Sequence, residues 1–376
     1  MRILALEPYY GGSHRAFLDG WIAHSRHDWT LLTFPAHKWK WRMRHSAISF
    51  ADQLHASEEA KGQFELVFAS DMLNLAEFRG LAPHEIAQLP AVVYFHENQL
   101  TYPVRHSEER DLHFGMVNIS TALAADRVWF NSGYHQTSFL NAVGELLVRM
   151  PDSNKLVDVE SLLAKSRIVC PGIARPGRAR GVTAEPPVIL WAARWEYDKN
   201  PELFYEALMR LRERGVEFRL SVIGEQFSDS PVVFERMRNE FWGCIHRWGF
   251  QPTRDEYETA LSEADLVVST ADHEFFGVSI VEAVASGAYP VLPDRLAYPE
   301  LFGPKAADGS RGFLYDGTAE HLAAVLENRI GEACTGRLWL DPVLRGRGMV
   351  ERFYWENKAA EMDDALKEIA GTTGDS

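Results

Sequence analysis

Short apolar runs of strand character alternate with stretches of helical periodicity along almost the whole chain, and this alternation admits few folds. A parallel strand needs a crossover of about a dozen residues or more, usually a helix, before its neighbour, so the pattern predicts an α/β protein with parallel sheets. In the first half, strands are expected at Ile3–Glu7, Trp29–Phe34, Leu66–Ala69, Ala91–Phe95, Val128–Asn131 and Ile168–Cys170, with helices near Arg15–His24, Ser46–Ala60, Glu108–Ala125 and Tyr134–Val148. A second alternation places strands at Val188–Ala192, Arg219–Ile223, Ile245–Trp248, Leu266–Thr270, Tyr289–Leu292 and Gly312–Tyr315. Asn200 before Pro201, and Thr253 before Glu256 at capping-box spacing, mark helix starts within it.

Between the two series, PGIARPGRARGVTAEPP packs four prolines and three glycines into seventeen residues, a linker composition. The chain of 376 residues accordingly reads as an N-terminal domain over 1–172, a linker over 173–187 and a C-terminal domain over 188–345. Residues 346–376 carry Phe353, Trp355, Ala359, Met362 and Leu366 at helical spacing, a terminal amphipathic helix expected to pack back on the first domain. Two doubly wound domains facing a cleft is the simplest architecture.

Totals exclude several classes. A formal charge of −14 argues against indiscriminate nucleic-acid coating, although it leaves room for a local basic site. Cys170, Cys244 and Cys334 lie far apart and form no CxxC or metal-spaced cluster, so neither structural zinc nor a disulfide framework is expected. The opening MRILALEPYY has four apolar residues before Glu7 and Pro8, too few for a signal peptide, and no long uncharged apolar run follows. These features lead us to expect a cytoplasmic protein without membrane association or structural zinc; a monomer with no metal or other cofactor is the accompanying expectation, not one that these features decide.

The strongest chemical signal is STADHEFFGVSIVEAVASG, Ser269 to Gly287: a strand end, a polar loop, then a helix opening at Gly277. A helix starting at the carboxyl end of a parallel strand is a ready anion site. Glu274 and Glu282 are separated by seven residues, and eight helical steps rise ~12 Å, beyond the ~5 to 9.5 Å between the catalytic carboxylates of glycoside hydrolases. The two acids are better suited to two ends of one long ligand. In RWEYDKN, Arg194 offers a forked guanidinium and Lys199 a mobile ammonium after the first strand of the second domain, a pairing suited to a diphosphate. VIGE, with Gly224 and Glu225, and WGF, with Phe250, end two neighbouring strands where a nucleotide base could lie. In the first domain, YYGGSH supplies Gly11 and Gly12 for close approach or positive φ and Ser13 as a possible helix cap; it is not GxGxxG, so a dinucleotide site is not indicated. YFHENQLTYPV puts His96, Glu97 and Asn98 at a strand end.

Glu, seven residues, Glu, with a glycine at the helix start, resembles the signature of retaining nucleotide-sugar glycosyltransferases of the glycosyltransferase-B fold. Together EPYYGGSHRAF, PAHKWKWR, YFHENQLTYP, RWEYDKNPE, ADHEFFGVSIVEA and YPELF resemble, over roughly residues 1 to 300, the tRNA-queuosine α-mannosyltransferase family. The resemblance implies mannose transfer from GDP-mannose to queuosine in the anticodon loop of tRNA. It places Glu274 on the donor sugar and His96 on the sugar and acceptor, with these two as the catalytic pair. Arg194, Lys199, Gly12 and the segment Phe276, Gly277, Val278 would meet the diphosphate, and Glu282, Gly224, Glu225 and Phe250 the nucleoside. The acceptor would meet Ser13, His14, Glu97 and Asn98. No Asp-x-Asp occurs in the sequence, which agrees with a metal-independent donor site.

One stretch stands apart. HKWKWRMRH alternates Lys38, Lys40, Arg42 and Arg44 with Trp39, Trp41 and Met43 in an acidic chain. If extended, the cations share one face at ~6.6 Å spacing and could follow a phosphate backbone; if helical, they scatter. It is either an acceptor strip or the wet side of an edge element whose indoles enter the core. Arg175, Arg178 and Arg180 form a second basic group in the linker. Two rival functions stay open: the same fold acting on a lipid, glycan or small-molecule acceptor, and a non-catalytic tRNA-binding module.

Overall fold

The structure is a computed structural model that describes residues 1–57, 64–104, 111–152, 156–177, 186–302, 312–339 and 346–372. Arg178 and Arg180, like the expected helix ends at 58–60 and 108–110, lie outside the described residues. The chain divides into two compact units: residues 1–172 with the segment from Trp355 onward, and residues Ile173–Tyr354.

The first unit is a parallel six-stranded sheet of β1 (Arg2–Tyr10), β2 (Asp28–Pro35), β3 (Leu66–Ser70), β4 (Ala91–Phe95), β5 (Arg127–Phe130) and β6 (Ser166–Ile168), in the order β2-β1-β3-β4-β5-β6. Every residue of β3 and β4 is buried, because helices cover both faces of a parallel sheet. That is why these strands read as unbroken apolar runs. The last strand lies two residues earlier than its apolar run suggested.

The terminal helix Trp355–Thr372 completes this unit. Trp355, Ala359, Met362, Leu366 and Ile369 join Phe17, Trp21, Phe68 and Trp129 in one core cluster. Asp363, 1% exposed, accepts hydrogen bonds from Trp21 Nε1 (2.9 Å), Ser25 Oγ (2.9 Å) and Arg26 N (2.8 Å). Phe353 precedes the helix and belongs with the second unit, where its ring stands edge-on to Phe276 at 5.5 Å.

The second unit repeats the plan with β7 (Val188–Ala192), β8 (Arg219–Ile223), β9 (Ile245–Gly249), β10 (Leu266–Val268), β11 (Tyr289–Pro293) and β12 (Leu314–Tyr315), all parallel, in the order β12-β11-β10-β7-β8-β9. Strand order reverses between β7 and β10, as it does between β1 and β3 in the first unit. In open α/β sheets ligands bind outside the carboxyl ends of the strands at such reversals. Asn200 caps the helix Pro201–Glu213 through Leu203 N, and Thr253 and Glu256 close a reciprocal capping box.

The basic stretch is not extended. Lys38, at φ 55°, is the N-cap of a helix over Trp39–Ala56, so the four cations do not form one strip. Ser13 is not a cap either: Gly11 occupies that position and Ser13 lies exposed in the first turn of the helix Gly12–His24. Gly11 has a spatial reason and Gly12 a conformational one. A Cβ on Gly11 would lie 2.4 Å from Ala36 Cβ, and Gly12 holds φ +51°.

Among the described residues, no helix is long and apolar enough to cross a membrane.

Candidate functional site

At the reversal in the second unit, the chain leaving β10 is pinned before it turns. Ser269 Oγ lies 2.7 Å from the Tyr298 hydroxyl, and Thr270 Oγ1 accepts from Trp191 Nε1 (3.1 Å) while donating to Lys199 O (2.8 Å). Lys199 is thereby fixed beneath the loop. Its ammonium donates to His273 O (2.8 Å) and lies 3.1 Å from Asp198 Oδ2 and 3.3 Å from Glu274 Oε2. Burial works against the charge of Lys199, but Glu274 and Asp198 outweigh it and raise its pKa. Burial likewise pushes Glu274 up, and Lys199, with His273 and Arg194, more than offsets this, so the carboxyl sits below its ordinary value. His273, held down to about 4 first by burial and then by Lys199, is neutral at physiological pH. A small pocket lies here, lined by Ala192, Ala193, Lys199, Glu274, Ser279 and Tyr298 among others.

Gly277 holds φ +89° and begins the helix Val278–Ala285 without a capping side chain, and a Cβ there would approach Tyr298 Cε1 to 3.0 Å. Ser279 Oγ donates to Ala192 O (2.8 Å), tying that helix to β7. Phe276 is buried, so only its backbone is available to a ligand. Arg194 is 44% exposed and pairs with Glu196 at 3.1 Å. Gly224 closes against the residue after β7 so tightly that a Cβ would sit 1.8 Å from Ala193 O; Glu225 O accepts from Trp195 N (2.9 Å), and Phe250 is 60% exposed. Glu282 has both oxygens engaged, by Arg254 Nη2 (2.8 Å) and the Tyr257 hydroxyl (2.8 Å). A ribose on Glu282 would share or displace these partners.

A second constellation occupies the reversal in the first unit. Glu7, 1% exposed, accepts from Tyr9 N (2.8 Å) and Ser70 Oγ (3.0 Å) and lies 3.1 Å from His14 Nδ1. Burial alone would push His14 down; Glu7, supported by Asp71 and Glu97, outweighs it and raises the imidazole to about 9. The His14 ring lies 4.0 Å from that of His96, whose own pKa is well below normal through burial and the neighbouring His14 charge. Asp71 Oδ1 accepts from His96 N (2.8 Å), while Oδ2 is buried without a hydrogen-bond partner among the described residues. Glu7, His14 and His96 bring ligand-type atoms within 4.8 Å of one another, but Glu7 already serves three donors, so the group is first an ion pair. Asn98, fully buried, shapes its own loop by accepting from Leu100 N (3.1 Å) and Thr101 N (2.9 Å); Glu97 accepts from Gln99 Nε2 (3.0 Å).

The basic helix sorts its residues by depth. Arg42 is buried and Trp39 leans on Phe114 with ring centroids 5.1 Å apart, whereas Lys38, Lys40, Trp41 and Arg44 face solvent. Sequence reasoning missed Asp198, Tyr298, Arg254, Tyr257, Glu7 and Asp71. Asp198, Glu7 and Tyr298 stand inside motifs already singled out; the contacts of Arg254, Tyr257 and Asp71 are set by the fold alone.

Residues 2–173 match the family described as tRNA-queuosine alpha-mannosyltransferase N-terminal, and residues 178–333 match glycosyl transferases group 1. A Drosophila melanogaster tRNA-queuosine alpha-mannosyltransferase is 39% identical over 312 residues, covering 80% of this chain and 81% of its own. A Mycobacterium tuberculosis GDP-mannose-dependent alpha-(1-6)-phosphatidylinositol dimannoside mannosyltransferase is 27% identical over 53% of this chain and 49% of its own. Among solved structures, sucrose-phosphate synthase from Thermosynechococcus elongatus superposes with TM-score 0.72 at 15% identity, covering 99% of this chain and 100% of that one. Anabaena HepE in complex with UDP does so with TM-score 0.67 at 16% identity, covering 98% and 100%. These structures carry the glycosyltransferase-B fold.

Proposed function

The chain belongs to the tRNA-queuosine alpha-mannosyltransferase family and is a glycosyltransferase, and from that premise we propose that it moves mannose from GDP-mannose to the cyclopentene-diol of queuosine in tRNA with retention at the anomeric carbon. The observation that carries the chemistry is the pairing of the buried Lys199 ammonium with the partly exposed Glu274 carboxylate at the strand-order reversal beside Arg194. A carboxylate held ionised by a buried ammonium is a fixed acceptor for sugar hydroxyls, and it favours positive charge developing on the sugar ring.

In this reading Glu274 orients the mannose, and Arg194 and Lys199 supply the positive field for the departing diphosphate. The backbone of Phe276, Gly277 and Val278 approaches the phosphates, the ribose meets Glu282, and the base lies by Gly224, Glu225 and Phe250. The bond from C1 of mannose to the phosphate oxygen breaks with its electron pair remaining on GDP. An acceptor hydroxyl oxygen bonds to C1 on the same face, and its proton passes to the leaving phosphate. The first unit contributes the acceptor side through Ser13, His14, Glu97 and His96, with the His14 charge held by Glu7 and Gly12 leaving room for a phosphate. The positive field comes from side chains, so the donor site operates without a metal.

Two measurements test this. GDP should raise the melting temperature of the protein more than UDP does, and the glycosidic bond of the product should be α. Equal stabilisation by both nucleotides, or a β product, would overturn the donor assignment or the retention respectively.

A further inference from the structure

The outward side of the helix Trp39–Ala56 carries groups that neither the sheet nor its core requires. We propose that this surface binds single-stranded RNA, with Trp41 as the platform for one unpaired base and Lys40 and Arg44 as phosphate contacts beside it. The inference rests on the RNA acceptor of the reading above.

The inner face of the helix is spelled by Met43, Ser46, Ala47, Phe50, Ala51 and Leu54, all buried. Trp41 is not part of that face and is 61% exposed. A helix turns 3.6 residues per turn, so Arg44, His45 and Ile48 lie along the same outer side as Trp41, and Ile48 is itself 46% exposed. A lone exposed apolar side chain is ordinary. This one is braced.

The His45 ring lies 5.0 Å from the Trp41 ring, tilted 31°. His45 Nδ1 is 2.9 Å from Ser49 Oγ, and Nε2 accepts from Arg42 Nη1 at 3.0 Å. Burial and the Arg42 charge lower the His45 pKa, in keeping with a neutral ring that accepts at Nε2. Arg42 is anchored in turn, its Nε donating to Pro35 O (3.0 Å) and its Nη2 lying 3.0 Å from His37 Nε2. A buried guanidinium thus fixes an imidazole, which backs an exposed indole. A ring immobilised in this way loses little freedom when a base stacks on it.

Charge favours the same partner. Lys38, Lys40, Arg42 and Arg44 fall within seven residues of a chain whose net charge is −14, and among the described residues Arg42 makes no ion pair with a carboxylate. Arg44 contacts His113 on the helix Leu112–Ala124, where Leu112 and Met116 are exposed, so the surface continues onto a second element. Every base offers a π face to an indole whatever its identity, and flanking cations engage the backbone. An acidic protein segment would use the charge but would not need the braced ring.

The test uses the full chain and a fluorescent anticodon stem-loop carrying queuosine. Trp41→Ala should weaken binding about 10-fold, and Trp41→Phe should recover most of the loss, because stacking is lost with the ring and not with the indole nitrogen. Replacing Lys40 and Arg44 together by alanine should flatten the dependence of log K on log salt by about 1.4, at roughly 0.7 for each single-strand phosphate. Wild-type affinity in Trp41→Ala together with an unchanged salt slope in the double variant overturns the proposal, as it would if a protein partner used this face. Should Trp41→Ala melt at lower temperature, Trp41→Phe decides: weak binding with a retained ring overturns the proposal, and recovered binding supports it. Failure of the underlying reading looks different. It is a wild-type protein that neither gains stability from GDP nor labels queuosine tRNA, whereas a wild type that labels tRNA while the variants keep its KM sinks the surface alone.

Discussion

Lys199 is the side chain on which the second-unit site depends, because it sits 8% exposed between Asp198 and Glu274. Replacing it with methionine leaves the buried Asp198 and the partly exposed Glu274 without their shared cation. Loss of one partner from a buried pair costs about 3 kcal/mol, so Lys199→Met should melt lower as well as lose transfer. Glu274→Gln keeps the shape and removes the charge; its turnover should fall on the order of 100-fold while GDP still stabilises the fold. A melting temperature unchanged by Lys199→Met would contradict the pairing. In the first unit, His14 has a folded pKa near 9 against an ordinary 6.5. A group that binds its proton more tightly when folded contributes fully below its unfolded pKa and loses that contribution as pH rises through the folded one. Chemical denaturation should therefore show stability falling between pH about 6.5 and about 9, and Glu7→Gln should flatten that slope. A flat wild-type profile over this window would remove the Glu7–His14 ion pair from the account.

The helix Trp355–Thr372 shows how an element at the end of the sequence becomes part of the first unit. Gly20 and Gly172 both face Trp355, and a Cβ on either would lie 2.2 Å from the indole. Alanine ordinarily gains up to ~1 kcal/mol over glycine inside a helix. At Gly20 the clash reverses the sign, since overpacking a tight core costs about 1–3 kcal/mol. Gly20→Ala should lower the melting temperature, and a rise would show that the indole can move aside at no cost. Elements were legible where their surroundings are simple. Ala91–Phe95 is buried on both faces and reads as a plain apolar run; Asn200-Pro201 and Thr253…Glu256 announce helix starts through purely local chemistry. The stretch HKWKWRMRH misleads because its seven residues from Lys38 to Arg44 alternate with period two. Its helical face, Met43, Ala47, Phe50 and Leu54, becomes visible only when the pattern is followed past His45. Ser13 is not a cap because the helix already begins at Gly12, with Gly11 in the cap position. Of the site residues, Lys199 and Glu274 announce themselves at strand ends, whereas the Asp71 contact to His96 and the Arg254 and Tyr257 contacts to Glu282 join residues that only the fold brings together.

At the scale of the molecule, two parallel six-stranded sheets each gather their titratable groups where strand order reverses. One gathers Lys199 and Glu274 with a neutral His273, the other a charged His14 with Glu7, His96 and Asp71. The net charge of −14 disfavours indiscriminate binding to nucleic acid, so a basic helix in such a chain selects for RNA that also offers an unpaired base. The central claim joins a donor to an acceptor, and one assay reads both. Purified protein is incubated with radiolabelled GDP-mannose and either queuosine-containing tRNA-Asp or the same tRNA lacking queuosine. The account predicts label on the first and none on the second; equal labelling of both, or of neither, would contradict it.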